Sequence, residues 1–259
     1  MAVFILRFIR RLGAGVLWVP VCFCFSLADA EDVVVMKDSK IIKGVVTSVD
    51  ADGFFLKDDK GTFKHPHNRV ARVTLDLPAA FDQAMKAFAE GKYSEAAKGL
   101  KPFVDKYAGV GDDRVATALI SLADACVEQG DVAGARPLYE KFRKLYASQQ
   151  DRAEVGMAKI AVLERKYDEA LKLLEPSIAL AAKTQSPTPA QERGFCEAFY
   201  LRGVCLEEQK KYSEALESYL TAAVIYSGYS QMAAKAKQQA DRLRQEHNKS
   251  PGTPTVYVP

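Results

Sequence analysis

The chain has 259 residues, with 36 lysines and arginines against 33 aspartates and glutamates, a formal net charge of +3 and 48% hydrophobic residues. So small a basic excess argues against a sequence-independent grip on nucleic acid, which needs a strong cationic stripe. Three histidines, five cysteines and no glycine-rich phosphate loop leave nucleophilic triads and nucleotide chemistry little to draw on.

At the N-terminus, Arg7, Arg10 and Arg11 precede an apolar run from Gly13 to Leu27, and Ala28-Asp29-Ala30 supplies a small-x-small cleavage pattern. Residues 1–30 therefore read as a secretory signal cleaved after Ala30, with retention as a membrane anchor as the alternative. Its removal leaves 33 basic and 32 acidic residues, a nearly neutral chain. It also leaves three cysteines, Cys126, Cys196 and Cys205. The last two stand about half a helical turn apart in azimuth on one helix and cannot bridge each other, so all three are expected as small buried hydrophobes.

Residues 31–76 change period. Short β-branched or alternating runs, Val33–Val35, Ile41–Val49, Phe54–Leu56, Thr62-Phe63 and Val70–Leu75, are separated by turn signals at Asp38-Ser39, Asp50–Gly53 and Asp58–Gly61. Five short strands in so few residues predict a strongly bent antiparallel sheet closing into a small barrel, with Gly44 at the bend. The Asp38-Ser39-Lys40 turn, Gly44, Val49-Asp50 and Phe63-Lys64-His65 resemble the Sm-like small barrels. In the Hfq branch of that family an aromatic-lysine-histidine triplet contacts RNA, which would implicate Phe63, Lys64 and His65. His65 and His67 flank Pro66 with no cysteine or carboxylate cluster nearby in sequence, so no metal or other cofactor is expected.

From residue 77 a phrase recurs four times: Gly91–Ala97, Gly130–Arg136, Arg165–Leu171 and Lys210–Leu216. Each carries an alanine five residues after its first, at Ala96, Ala135, Ala170 and Ala215, and a small residue seven before it, at Ala84, Ala123, Ala158 and Gly203. A large residue follows each alanine one turn on, at Leu100, Tyr139, Leu174 and Tyr219. Each unit thus reads as helix, tight turn, helix, and the pattern resembles the tetratricopeptide repeat. Four units are expected over 77–110, 116–149, 151–184 and 196–229, with Thr184–Gly194 as an inserted loop, a capping helix over 230–247 and a disordered tail over 248–259. Pro102 and Pro176 both stand six residues after the repeated alanine and predict kinked second helices.

The resemblance implies an α+β chain, a small Sm-like antiparallel barrel followed by a tetratricopeptide solenoid with a C-terminal cap. It further implies a concave groove lined by the first helix of each unit. The matching positions are Phe81, Met85 and Phe88, then Ile120, Asp124 and Val127, then Arg152, Val155 and Lys159, and finally Tyr200, Val204 and Glu207. Such a groove is apolar with scattered charges, and the lysine-and-asparagine carboxylate clamp of some family members is replaced by Phe81, Met85 and Asp124. The expected function is that of a non-enzymatic, exported adaptor of the cell envelope, binding a peptide or helix of another protein, or a second copy of itself, unless the chain's own elements cover the groove. The alternative is a nucleic-acid-binding Sm-like module centred on Phe63-Lys64-His65.

Overall fold

The computed structural model describes residues 31–228 and 230–248. The expected signal (1–30) and all of the expected tail except Asn248 lie outside the described residues. From Glu31 on, the chain forms a compact unit with its own hydrophobic core. No helix among the described residues is long and apolar enough to cross a membrane.

The first elements are strands: β1 (Asp32–Met36), β2 (Ile41–Val49), β3 (Gly53–Asp58), β4 (Gly61–Pro66) and β5 (Val70–Thr74). All neighbours pair antiparallel in the order β4-β3-β2-β1-β5. Aspartates set the hairpins by accepting backbone N–H groups: Asp38 from Lys40 at 3.1 Å, Asp50 from Asp52 and Gly53 at 2.9 Å, and Asp58 from Lys60 and Gly61 at 2.9 and 3.0 Å. The long strand β2 changes partner midway. Up to Gly44 it pairs with β1, and from Val45 it pairs with β3, with a register shift between Val46 and Ser48. A Cβ on Gly44 would lie 2.4 Å from the Lys57 carbonyl oxygen, so the crossing tolerates only glycine.

The expected closed barrel is not formed. The edge strands β4 and β5 do not pair, and a 3-10 turn, His67–Arg69, carries the chain from one edge to the other. The sheet's apolar face, with Val34, Val46, Phe54, Leu56 and Val73, is instead completed by Val110 and Val115, with Tyr107 and Leu77 against it. Tyr107 and Val115 stand on helices, Val110 in the loop between them and Leu77 just ahead of the first helix, so sheet and helices share a core and the sheet has no need to close on itself.

Asp112 fastens this junction. It caps the helix α3 (Asp113–Glu128) by accepting from Arg114 N–H at 2.9 Å, and its second oxygen accepts from Leu75 N–H, at the end of the sheet, at 2.9 Å. The Arg114 guanidinium pairs with the same carboxylate at 2.7 Å and donates to the Leu75 carbonyl. Burial works to raise the Asp112 carboxyl, but Arg114 and the two backbone donors outweigh it and hold the group below the usual aspartate range. At the same end of the sheet, buried Asp32 accepts from Val46 N–H (2.7 Å) and from Asp76 N–H (2.8 Å), one residue past Leu75.

The helices pair as α1 (Ala79–Ala89) with α2 (Tyr93–Tyr107), α3 with α4 (Val132–Leu145), α5 (Gln150–Leu163) with α6 (Tyr167–Lys183) and α7 (Pro189–Glu208) with α8 (Tyr212–Leu220), followed by α9 (Ser230–Asn248). The repeated phrase is one backbone motif used four times. Its first residues, Gly91, Gly130, Arg165 and Lys210, all have positive φ, at 76, 80, 60 and 61°. In each turn the following N–H reaches back to the first helix: Lys92 to Ala87, Asp131 to Cys126, Lys166 to Ala161 and Lys211 to Leu206, at 2.8–2.9 Å. These are Schellman closures, which satisfy carbonyls that the helix end would leave orphaned. The repeated alanines are fully buried at 0% exposure because the second helix crosses the first there. At Gly203 the approach leaves no room for a side chain, since an added Cβ would meet the Tyr219 ring at 2.6 Å.

One expectation changes in detail. Helix α7 begins at Pro189, so the interval after α6 is only 184–188, and most of the expected inserted loop is helix. A capping box starts it, with Thr188 Oγ1 accepting from Gln191 N–H at 3.3 Å and the Gln191 side chain accepting from Thr188 N–H at 2.9 Å. Helices α2 and α6 both run on past Pro102 and Pro176 without terminating. In the fourth unit the residue at that register is Thr221, where α8 gives way to a π-helical segment, Thr221–Ile225. Three of the four units therefore interrupt the regular helical ladder at one position, six residues past the buried alanine.

Replacing Gly91 or Gly130 by alanine is expected to cost about 1 kcal/mol each in denaturant unfolding, all of it backbone strain, because an added Cβ meets nothing within 4 Å. Arg165→Gly and Lys210→Gly should gain up to about 1 kcal/mol by the same argument. Asp112→Asn should cost about 2–3 kcal/mol. Since its folded carboxyl titrates below the ordinary value, that stabilisation is complete above about pH 4 and disappears as pH falls through the lowered value. The variant's stability should therefore depend less on pH below about 4 than the parent's, measured by unfolding at a series of acid pH values.

Candidate partner-binding surface

The first helices of the units, α1, α3, α5 and α7, carry all twelve sequence-predicted groove residues, and none of the twelve is fully exposed. Phe81, Phe88, Asp124, Val127 and Val155 are buried. Phe81 stacks edge-on to Phe103 (5.5 Å) in the core of the first two units and offers almost no surface. Met85 and Ile120 are half-buried against the same core. Arg152 lies 5.4 Å over the Phe142 ring and donates to Gln149 (2.8 Å) and Thr117 (3.3 Å). Tyr200 and Val204 pack against the α8–α9 core, with the Tyr200 and Tyr219 rings 5.9 Å apart. Glu207 accepts from Tyr219 Oη at 2.9 Å and pairs with Arg242 of α9.

The charges that the sequence pattern left scattered are gathered in the middle of this surface. Lys159 Nζ of α5 stands between Glu128 of α3 (2.6 Å) and Glu197 of α7 (3.3 Å), so one ammonium links three successive first helices. Its side chain is only 16% exposed. Burial works to lower the Lys159 ammonium, but Glu197, Asp124 and Glu128 overcome this and raise it above the ordinary lysine value. Asp124, nearby, accepts from buried Tyr139 Oη at 2.7 Å and lies 3.6 Å from the Arg193 guanidinium. Burial, and then the neighbouring Glu197, raise the Asp124 carboxyl above its usual range. Arg193 in turn sits 4.9 Å over the Phe88 ring of α1, which extends the network to a fourth helix.

Helix α9 reaches the same place. Its inward residues Ala236 and Leu243 are buried as its pattern predicts, and Met232 and Lys235 join the charged cluster in lining a cavity of about 30 Å³, room for about one water. Gln231 Nε2 approaches the Ala89 carbonyl at the end of α1 at 3.5 Å, so the first and last helices of the array nearly meet across the concave side. Sequence reasoning reads Glu128 and Glu197 as groove positions but pairs neither with Lys159, and it misses Arg193, because the partners stand on α3, α5 and α7 with nothing in the local pattern to join them.

The other sequence-predicted features have local explanations. Lys64 is paired with Asp50 (2.8 Å) and Asp52 (3.7 Å), which compensates the charge an RNA contact would use. His65 and His67 flank the Phe54 ring, with ring centres at 5.8 and 6.2 Å. Among the described residues no three His, Cys, Asp or Glu side chains are grouped to hold a metal. Cys196 and Cys205 are buried, and burial pushes both thiols up to about 12.

Lys159→Ala should cost about 3–5 kcal/mol, because it strands carboxylates that are partly buried. Combining Lys159→Met with Glu128→Gln and Glu197→Gln should recover most of that loss, since no unpaired charge then remains. Denaturant unfolding of the single and triple variants measures both. The folded ammonium titrates above its ordinary value, so its contribution is intact below about pH 10 and is lost only as pH rises through the raised value.

No curated protein sequence matches the chain. Similar solved structures include MamA AMB-1, with 20% identity over 67% of this chain and 93% of that one at a TM-score of 0.40. MamA MSR-1 has 22% identity over 65% and 96%, at a TM-score of 0.38. A further MamA crystal structure has 14% identity over 70% and 97%, at 0.37. The tetratricopeptide repeat family model matches residues 81–150 and 155–230, more than half of the chain, which therefore belongs to the tetratricopeptide repeat family.

Proposed function

We propose that this chain is an exported protein-interaction scaffold of the cell envelope, holding a segment of a partner protein along its concave surface. The observation that carries the reading is the convergence of Asp124, Glu128, Lys159, Arg193 and Glu197, from three first helices, on one half-buried patch. Aligned polar side chains on a rigid helical scaffold fix the register of a bound segment, and the aromatic Phe88 and Tyr93 beside them offer it apolar contact. The patch as folded is too tight for a helix, so a partner enters by parting the contact of Gln231 with Ala89. Export rests on the N-terminal pattern of arginines, apolar run and Ala28-Asp29-Ala30.

A photo-crosslinking residue at Arg152 or Lys235, on the concave side, is expected to capture protein partners in the native host. The same residue at Glu140 or Lys172, exposed on second helices, is expected to capture few. Adducts confined to the second-helix positions would refute concave binding. Mass spectrometry of the native N-terminus should find Glu31, and an intact Met1 in a soluble chain would refute export.

A further inference from the structure

One corner of the sheet presents an unusual combination of side chains. On the face of the sheet away from the shared core, cross-strand register sets Val35 between Ile41 and Arg72, and sets Val33 beside Lys43. Lys40 directly precedes Ile41, and Lys37 is tied to Arg69 by its N–H donating to the Arg69 carbonyl at 2.8 Å. Five exposed cations thus lie on the strands and turns next to Ile41, which is itself 62% exposed: Lys43 and Arg72 share its face, and Lys37, Lys40 and Arg69 stand on the adjoining turns. None of the five is in an ion pair among the described residues. The carboxylate within this corner, Asp38, is engaged by the Lys40 N–H, and no carboxylate occupies a strand position on this face.

We infer that this corner is a docking surface for an anionic lipid bilayer. Charge complementarity calls for an anion, and the protruding isoleucine separates the possible anions. A bilayer surface offers acidic headgroups and, just beneath them, hydrocarbon for an aliphatic side chain, whereas a soluble polyanion offers charge alone. The strand backbone holds the cations at fixed spacing around Ile41, so the patch meets the surface without first ordering a flexible segment. Such a contact would hold the helical array beside the membrane.

The test is co-sedimentation of the compact unit, the chain from Glu31 on, with vesicles of phosphatidylglycerol or of phosphatidylcholine, and titration with heparin as a soluble polyanion. Binding to phosphatidylglycerol vesicles and not to phosphatidylcholine is expected, and Lys40→Glu, Lys43→Glu and Arg72→Glu together should weaken it roughly tenfold or more. Ile41→Ser, which removes the apolar side chain without changing charge, should weaken vesicle binding several-fold and leave any heparin binding within about twofold of the parent's. All the substituted side chains are exposed, and unchanged circular dichroism confirms that the variants fold. Absence of vesicle binding, indifference to the charge reversals, or heparin binding as tight as vesicle binding with Ile41→Ser neutral would each overturn the inference.

Discussion

Lys159 is the constraint on which the helical array turns. An ammonium that is mostly removed from water is costly unless carboxylates meet it, and here Glu128 and Glu197 do so from the helices on either side. Stacked helical pairs contact mainly their neighbours, so the path of an array is set by small choices at each interface. A cation shared by three first helices couples two of those interfaces at once. The Asp124–Arg193 pair and the Arg193 contact with Phe88 carry the same linkage back to α1, and together they draw the concave side tight enough for α9 to approach α1.

The sheet depends on the array in turn. Its apolar face is unfinished without Val110 and Val115, and its last strand ends in hydrogen bonds to Asp112 and Arg114 of α3. An aspartate that caps a helix, fills a backbone donor of the sheet and pairs with an arginine makes three connections through one carboxylate. That economy lets a five-stranded sheet persist open, with its edges unpaired.

The repeats show how one backbone solution tolerates different side chains. Glycine at Gly91 and Gly130 adopts the left-handed conformation freely, while Arg165 and Lys210 accept its strain because the same Schellman hydrogen bonds close all four turns. The ladder interruption six residues past three of the four buried alanines likewise has two chemical forms, proline at Pro102 and Pro176 and a π segment at Thr221. A shared position with different causes suggests that the irregularity itself matters to how the second helices lie on their neighbours.

Much of this was legible in the residues. The alanine and small-residue register specified the helical pairs, and aspartate-led turns specified the hairpins, because these depend on contacts a few residues apart. Thr188-Pro189 followed by Gln191 was a readable helix start within what the repeat pattern marked as a loop. The centre of the concave surface was not legible. Its residues were assigned to the correct helices, but whether Phe81 or Val155 faces a partner or the core depends on how tightly successive pairs wind. Sequence by itself determined the local units, their turns and their order, since those follow from periodicity and backbone chemistry. Only the tertiary structure decided that the sheet stays open and that the groove is charged and drawn together, because both depend on groups separated by thirty or more residues meeting between elements, as the Leu75 N–H meets Asp112 and Glu128 meets Lys159.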